Sequence, residues 1–175
     1  MLRIKRHQWI GLVLLLSLLG YQAWTTVKRG QYWTDTVTYI EKLLEFEPDY
    51  SVANYHLGFE FLRLERYADA VHQFDVVLTL RPDMRQKIME IQADVNDQWG
   101  RSLAEQGDLD GALIALNNAR KLSPARSSIY NGLGIVHFLR EEQTLAAENW
   151  EMALQLDPEN IEARSNLDML FKKEK

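Results

Sequence analysis

Four histidines, the Gly132-Leu133-Gly134 run and the acidic pair Glu141-Glu142 are the residues of this 175-residue chain whose types can support catalysis or ligand binding. His7, His56, His72 and His137 are scattered. None falls in the HxxxH or HExxH spacing that sets two imidazoles on one helical face for zinc. Gly132-Leu133-Gly134 lies inside a predicted helix and lacks the lysine and hydroxyl of a phosphate loop, so nucleotide binding has no support. Glu141-Glu142 stands opposite no second catalytic candidate and reads as part of a solvated acidic face. The absence of cysteine removes disulfide frameworks, zinc ribbons and thiol catalysis together. The sequence therefore predicts no catalytic residue, no metal, no cofactor and no small-molecule substrate.

Charge narrows the partners further. Residues 1–30 hold Arg3, Lys5, Arg6, Lys28 and Arg29 and no acid, whereas residues 31–175 hold 15 basic and 25 acidic side chains. A body with a net charge of −10 repels phosphate backbones, which excludes nucleic acid as the main partner.

The elements that must position any functional residue are read from hydropathy. After a basic flank at 1–7, residues 7–27 carry no formal charge and contain a solid apolar run from Ile10 to Leu19. As a helix the uncharged stretch extends about 31 Å, close to the thickness of a bilayer's hydrocarbon. Trp9, Tyr21 and Trp24 fall where amphipathic rings favour the headgroup zone. A transmembrane anchor is expected over 8–28. The competing reading, a cleaved secretory signal, lacks a small-x-small site because Tyr21 and Trp24 occupy that region. The basic flank favours a cytoplasmic N-terminus, with the rest of the chain on the periplasmic or lumenal side of an inner or thylakoid-type membrane.

Beyond the anchor the chain repeats. Pro48, Pro82, Pro124 and Pro158 each close an amphipathic segment, in LLEFEP, VLTLRP, ARKLSP and ALQLDP, at spacings of 34, 42 and 34 residues. In the unit from Ser51, Leu57-Gly58, Phe61, Tyr67, Ala70, Phe74, Val77 and Pro82 recur in a phase matched by Trp99-Gly100, Leu103, Leu109, Ala112, Leu116, Ala119 and Pro124. The same phase returns at Leu133-Gly134, Ala146, Trp150, Ala153 and Pro158, with His137 and Gln143 where aromatics are usual. This pattern resembles the tetratricopeptide repeat (TPR) family across residues 32–175.

The resemblance implies an all-α solenoid of helical hairpins behind the N-terminal transmembrane helix. A half repeat is expected over 31–49, full repeats over 51–84, 85–126 and 127–160, and a capping helix over 161–175. In the turn EQGDLDGA, Gly107 is placed to reverse the chain and Asp108 to cap the following helix. The eight residues Arg85–Gln92 lengthen the first helix of the second repeat, which is expected from about Asp83 to about Gln106. Met84, Ile88 and Ile91 on that extension form either a face packed on its neighbour or an exposed docking ridge. In the last helix Ile161, Leu167, Leu170 and Phe171 share one side.

In the family the first helices line a concave groove. Carried onto this chain, the groove positions include Val52, Tyr55, Phe59, Leu62 and Arg63, then Asp94, Asp97, Arg101, Ala104 and Glu105, then Ser128, Asn131, Ile135, Phe138 and Leu139. Two apolar ends flank a charged middle. They either bind an extended or helical peptide or lie beneath the cap helix or the anchor's lower end. The family members that clamp the carboxylate tail of cytosolic chaperones use basic residues and Asn where this chain has Tyr55, Phe59 and Asp97, so that clamp is not expected. The resemblance implies a membrane-anchored scaffold that binds a protein, as an assembly or biogenesis factor for a membrane complex. The alternatives are a permanent subunit of such a complex or the regulatory partner of a membrane enzyme.

Overall fold

A computed structural model describes residues 36–173, with side chains described as far as Leu170. The expected basic flank at 1–7 and anchor at 8–28 lie outside the described residues. Among the described residues no helix is long and apolar enough to cross a membrane. Every described element is helical.

The chain divides into two compact units at Pro48. The described part of the first unit is α1, Thr36–Phe46, which accounts for the helix expected over 31–49. Val37 and Ile40, one turn apart, are its buried residues.

The second unit is a run of antiparallel hairpins. Helix α2 (Ser51–Arg63) pairs with α3 (Tyr67–Leu80), α4 (Arg85–Glu105) with α5 (Leu109–Leu122), and α6 (Ser127–Leu139) with α7 (Gln143–Leu156). Helix α8 (Ile161–Lys173) packs on α7 and touches α6. The expected long helix is present as α4, introduced by a short 3₁₀ turn at Pro82–Met84, where proline opens the turn because its missing N–H has no partner to lose.

Each hairpin closes on the same contact. A Cβ added to Gly58 meets the Phe74 ring at 2.8 Å, one on Gly100 meets Leu116 Cγ at 2.6 Å, and one on Gly134 meets Trp150 Nε1 at 2.5 Å. With repeat positions counted from Ser51, Ala93 and Ser127, glycine at the eighth position thus lets the twenty-fourth side chain lie against the backbone of the facing helix. Phe74, Leu116 and Trp150 are consequently buried, and so are the small residues Ala70, Ala112 and Ala146 at the twentieth position. Burying each large side chain contributes about 1.5–3 kcal/mol, so this contact is the main apolar tie within a hairpin.

The turns repeat as well. Glu65, Gly107 and Glu141, each the fifteenth residue of its repeat, have φ of 57°, 85° and 64°. Only Gly107 takes this left-handed conformation without a Cβ penalty. Asp108 caps α5 as expected, its Oδ1 accepting a hydrogen bond from the Gly111 N–H at 3.0 Å.

The core continues between hairpins. Ala112, Leu116 and Ala119 of α5 join Ile129, Leu133 and Val136 of α6 in one cluster. Ala146, Trp150 and Ala153 of α7 join Ala163 and Leu170 of α8 in the next. Helix α8 is therefore a packed member of the array. Ile161, expected on its inner side, is instead 80% exposed at the first turn, before the α7 contact begins.

Candidate functional site

The helices α4 and α6 lie side by side, and the groove residues on them divide into two sets with different surroundings. Most of the polar set is paired internally. Asp97 accepts from Arg101 Nε at 3.1 Å through one carboxylate oxygen and from Ser128 Oγ at 2.7 Å through the other. Arg101 also donates to the Ser128 carbonyl at 2.8 Å and lies 3.8 Å from Glu162. Asn131, fully buried, donates to Glu162 Oε2 at 2.8 Å and accepts from Asn166 Nδ2 at 3.1 Å. These bonds tie α4 to α6 and α6 to α8. Buried polar groups keep their place only when paired in this way. Asn131 is thus covered by α8 rather than open to a groove, and Arg101 is held as a cross-link while part of it still reaches solvent.

Phe138, also expected on the groove, is half-buried and does not line the open hollow between α4 and α6. Its ring centroid lies 5.9 Å from that of Trp150, and it packs with Ile135 against the α7–α8 cluster. The face offered as a docking ridge is turned inward at Ile88, which is fully buried, while Met84 and Ile91 are half-buried. The packed alternative accounts for Ile88, since an apolar side chain one turn inside a long helix gains most by leaving water.

What stays open is apolar. Arg101, Ala104 and Glu105 of α4 face Gly132, Ile135, Val136 and Leu139 of α6 across a hollow of about 160 Å³. Leu139 is half exposed at its rim. Gly132 and Val136 were not singled out in the sequence; the helical spacing of 132, 135, 136 and 139 is the signal that marks them as one stripe. The volume is below the range of sites for drug-sized molecules and suits one large apolar side chain of a partner.

The other expected end is an aromatic cluster on α2. Tyr55 meets Phe59 edge-on at a centroid distance of 5.0 Å, and Phe59 meets Phe74 at 5.3 Å. Lys87 Nζ lies 5.2 Å from the centre of the Tyr55 ring, a cation–π contact from α4. Phe59 and Val52 remain exposed, Leu62 is half-buried, and Arg63 is paired with Glu60 at 2.9 Å. The arrangement can hold apolar or aromatic side chains, and it places no nucleophile against a general base. Among the described residues no group of three or more His, Asp or Glu side chains could hold a metal ion.

An array of antiparallel hairpins in one repeat phase, with a small residue facing a large one in each, is a helical-repeat scaffold. A tetratricopeptide repeat family model matches residues 98–161, covering α5, α6, α7 and most of their turns. Residues 98–161 are thus identified as tetratricopeptide repeat sequence. No curated protein matches it. Among solved structures, a crystal structure of MamA aligns with a TM-score of 0.58 at 18% identity, covering 83% of this chain and 82% of that one. MamA from Desulfovibrio magneticus RS-1 aligns at 0.55 and 23%, covering 90% and 84%. The first TPR domain of Spaghetti (RPAP3), bound to an HSP90 peptide, aligns at 0.51 and 16%, covering 70% and 91%. These likenesses establish a shared fold. Folds of this kind typically serve as non-catalytic scaffolds for protein interaction.

Proposed function

We propose that the chain is a membrane-anchored scaffold whose concave face captures an apolar segment of another protein during assembly of a membrane complex. The observation that carries the reading is the hollow between α4 and α6, an apolar floor with Leu139 at its edge and no side chain of the described residues filling it. One buried apolar anchor is worth about 1.5–3 kcal/mol, too little for tight capture in solution. Confinement of both partners to one membrane surface by the segment at 8–28 raises their effective concentration and makes such contacts sufficient. That the RPAP3 domain holds a peptide on the same fold supports a peptide ligand by analogy of fold.

Leu139→Asp is the direct test. Leu139 is half exposed at the end of α6, so the change removes the apolar rim with little cost to folding. Co-purification from native membranes in mild detergent should fall at least tenfold while circular dichroism is unchanged. Unchanged co-purification refutes capture through this hollow. Association with immature intermediates below stoichiometry identifies an assembly factor, whereas a stoichiometric, salt-stable complex identifies a permanent subunit. An alkaline phosphatase fused after α8 should be active if the repeats face the periplasm; activity of a cytoplasmic reporter in its place would reverse the orientation.

A further inference from the structure

A second hollow lies between the second helices of the first two hairpins. Val71 and Asp75 of α3 and Asn118, Lys121 and Leu122 of α5 wall it, Gln92 and Asn96 of α4 form its floor, and it encloses about 250 Å³. Its existence follows from the extension of α4. The eight residues Arg85–Gln92 carry that helix past the C-terminal end of α5, so the floor between α3 and α5 is open at Gln92.

The floor is polar where a helix serving only as a packed spacer would be apolar. Gln92 and Asn96 are 5% and 4% exposed, on the same helix as the fully buried Ile88 and Val95. Their amide orientations are fixed by partners that can only accept. Gln92 Nε2 donates to Asp75 Oδ1 at 2.7 Å, and Asn96 Nδ2 donates to the Gln92 main-chain carbonyl at 2.8 Å. The carbonyl oxygens of both side chains therefore point elsewhere, and neither takes a hydrogen bond among the described residues. Neither is sealed from solvent, since the fully enclosed unpaired side-chain atoms are Gln73 Oε1 and Trp150 Nε1. Asp75, Gln92 and Asn96 thus bring to the lining of one small hollow two amide oxygens and a carboxylate oxygen that take no hydrogen bond among the described residues.

We propose that this hollow binds the guanidinium of an arginine side chain presented by a protein partner. Guanidinium is planar, permanently charged and supplies five N–H donors in a fixed fork, which matches three acceptors around one cavity. Asp75 supplies the charge, and Val71 and Leu122 can cover the aliphatic stem. The volume suits a side chain rather than a whole metabolite. The net charge of −10 over residues 31–175 favours approach of a basic segment. Lys121, which forms no ion pair among the described residues, is the opposing charge at the rim and sets the affinity below its limit. The site is built by α3, α4 and α5 and shares no residue with the hollow between α4 and α6, so it stands or falls independently of capture there.

The test uses the ¹⁵N-labelled full chain in mild detergent and N-acetyl-arginine amide as probe, with N-acetyl-citrulline amide as its neutral near-isostere. The arginine amide should shift the side-chain NH₂ signals of Gln92 and Asn96 and saturate, and the citrulline amide should not. Asp75→Asn should weaken binding roughly tenfold through loss of the charge-assisted bonds. Lys121→Ala should tighten it roughly two- to fivefold by removing a surface repulsion. Both positions are exposed, so neither change threatens the fold. A blocked Ala-Arg-Ala peptide should bind at least as well as the amide. Equal shifts from citrulline, no shift from arginine, indifference to Asp75→Asn, or weaker binding in Lys121→Ala overturns the site. Binding of the amide with exclusion of the peptide overturns a protein as its source.

Discussion

Gly134→Ala measures how tightly the third hairpin closes. On helix propensity alone the change is stabilising, by about 0.5–1 kcal/mol, because alanine loses less backbone freedom than glycine inside a helix. Packing opposes it. The new Cβ falls 2.5, 2.6 and 2.9 Å from three atoms of the Trp150 ring, closer than carbon atoms tolerate. Trp150 is 1% exposed and lies against Phe138, Ala163 and Leu170, so the ring cannot swing aside without disturbing α8. Overpacking of this sort costs about 1–3 kcal/mol, and with three contacts under 3.0 Å on a ring that cannot move the upper half of that range applies, about 2–3 kcal/mol, leaving a net destabilisation of about 1–2.5 kcal/mol. Gly132→Ala, two residues away in the same helix, carries the same propensity gain, and its one close contact is Leu116 Cδ2 at 3.0 Å, the end of a side chain, with Leu116 Cδ1 and Asp97 Oδ1 at ordinary distances of 3.5 and 3.7 Å. Its net effect should lie within about 0.5 kcal/mol of zero. Urea denaturation followed by far-ultraviolet circular dichroism compares the two. Gly134→Ala at or above the wild-type midpoint, or below Gly132→Ala by nothing measurable, refutes the account of the eighth-position contact.

Two further outcomes follow from local geometry. Glu65→Gly, at a left-handed turn position that Gly107 already occupies with glycine, should stabilise the chain by about 1 kcal/mol; an unchanged or lowered thermal midpoint would contradict strain at that turn. The Glu142 carboxyl is held below its ordinary value by a hydrogen bond from His137 and then by one from Arg140. Its folded-state value is the lower one, so its contribution is present above the ordinary glutamate range and lost as pH falls through the lowered value. Glu142→Gln should therefore lose less stability than wild type between neutral pH and the acid limb, and parallel pH profiles for the two chains would exclude the interaction.

The helices and their pairing were legible because they depend on residues close in sequence. Gly134 and Trp150 stand 16 residues apart within one hairpin, as do Gly58 with Phe74 and Gly100 with Leu116, and periodicity alone matches them. The candidate face was less legible, because a groove position defines only which side of a helix faces inward. Whether that side is open depends on residues from the following repeat. Asn131 meets Glu162 and Asn166, more than 30 residues away, and Asp97 meets Ser128. These pairings turn a nominal charged groove into a set of ties between helices. Phe138, one residue late in the repeat phase, packs against Trp150 and the α7–α8 core, a contact that its groove position alone does not reveal. The polar floor at Gln92 and Asn96 carried a signal in sequence, two amides one turn apart among Ile88, Val95 and Trp99, but only the fold shows that the end of α5 leaves it uncovered.

The most direct test of the scaffold reading places a photo-crosslinking amino acid at single positions in cells. At Leu139, on the rim of the hollow, irradiation should give a discrete adduct with one protein. At Ile114, 66% exposed on the second helix α5 and outside that hollow, it should not. Adducts of equal yield at the two positions, or an adduct at Ile114 and none at Leu139, would contradict capture on the face between α4 and α6.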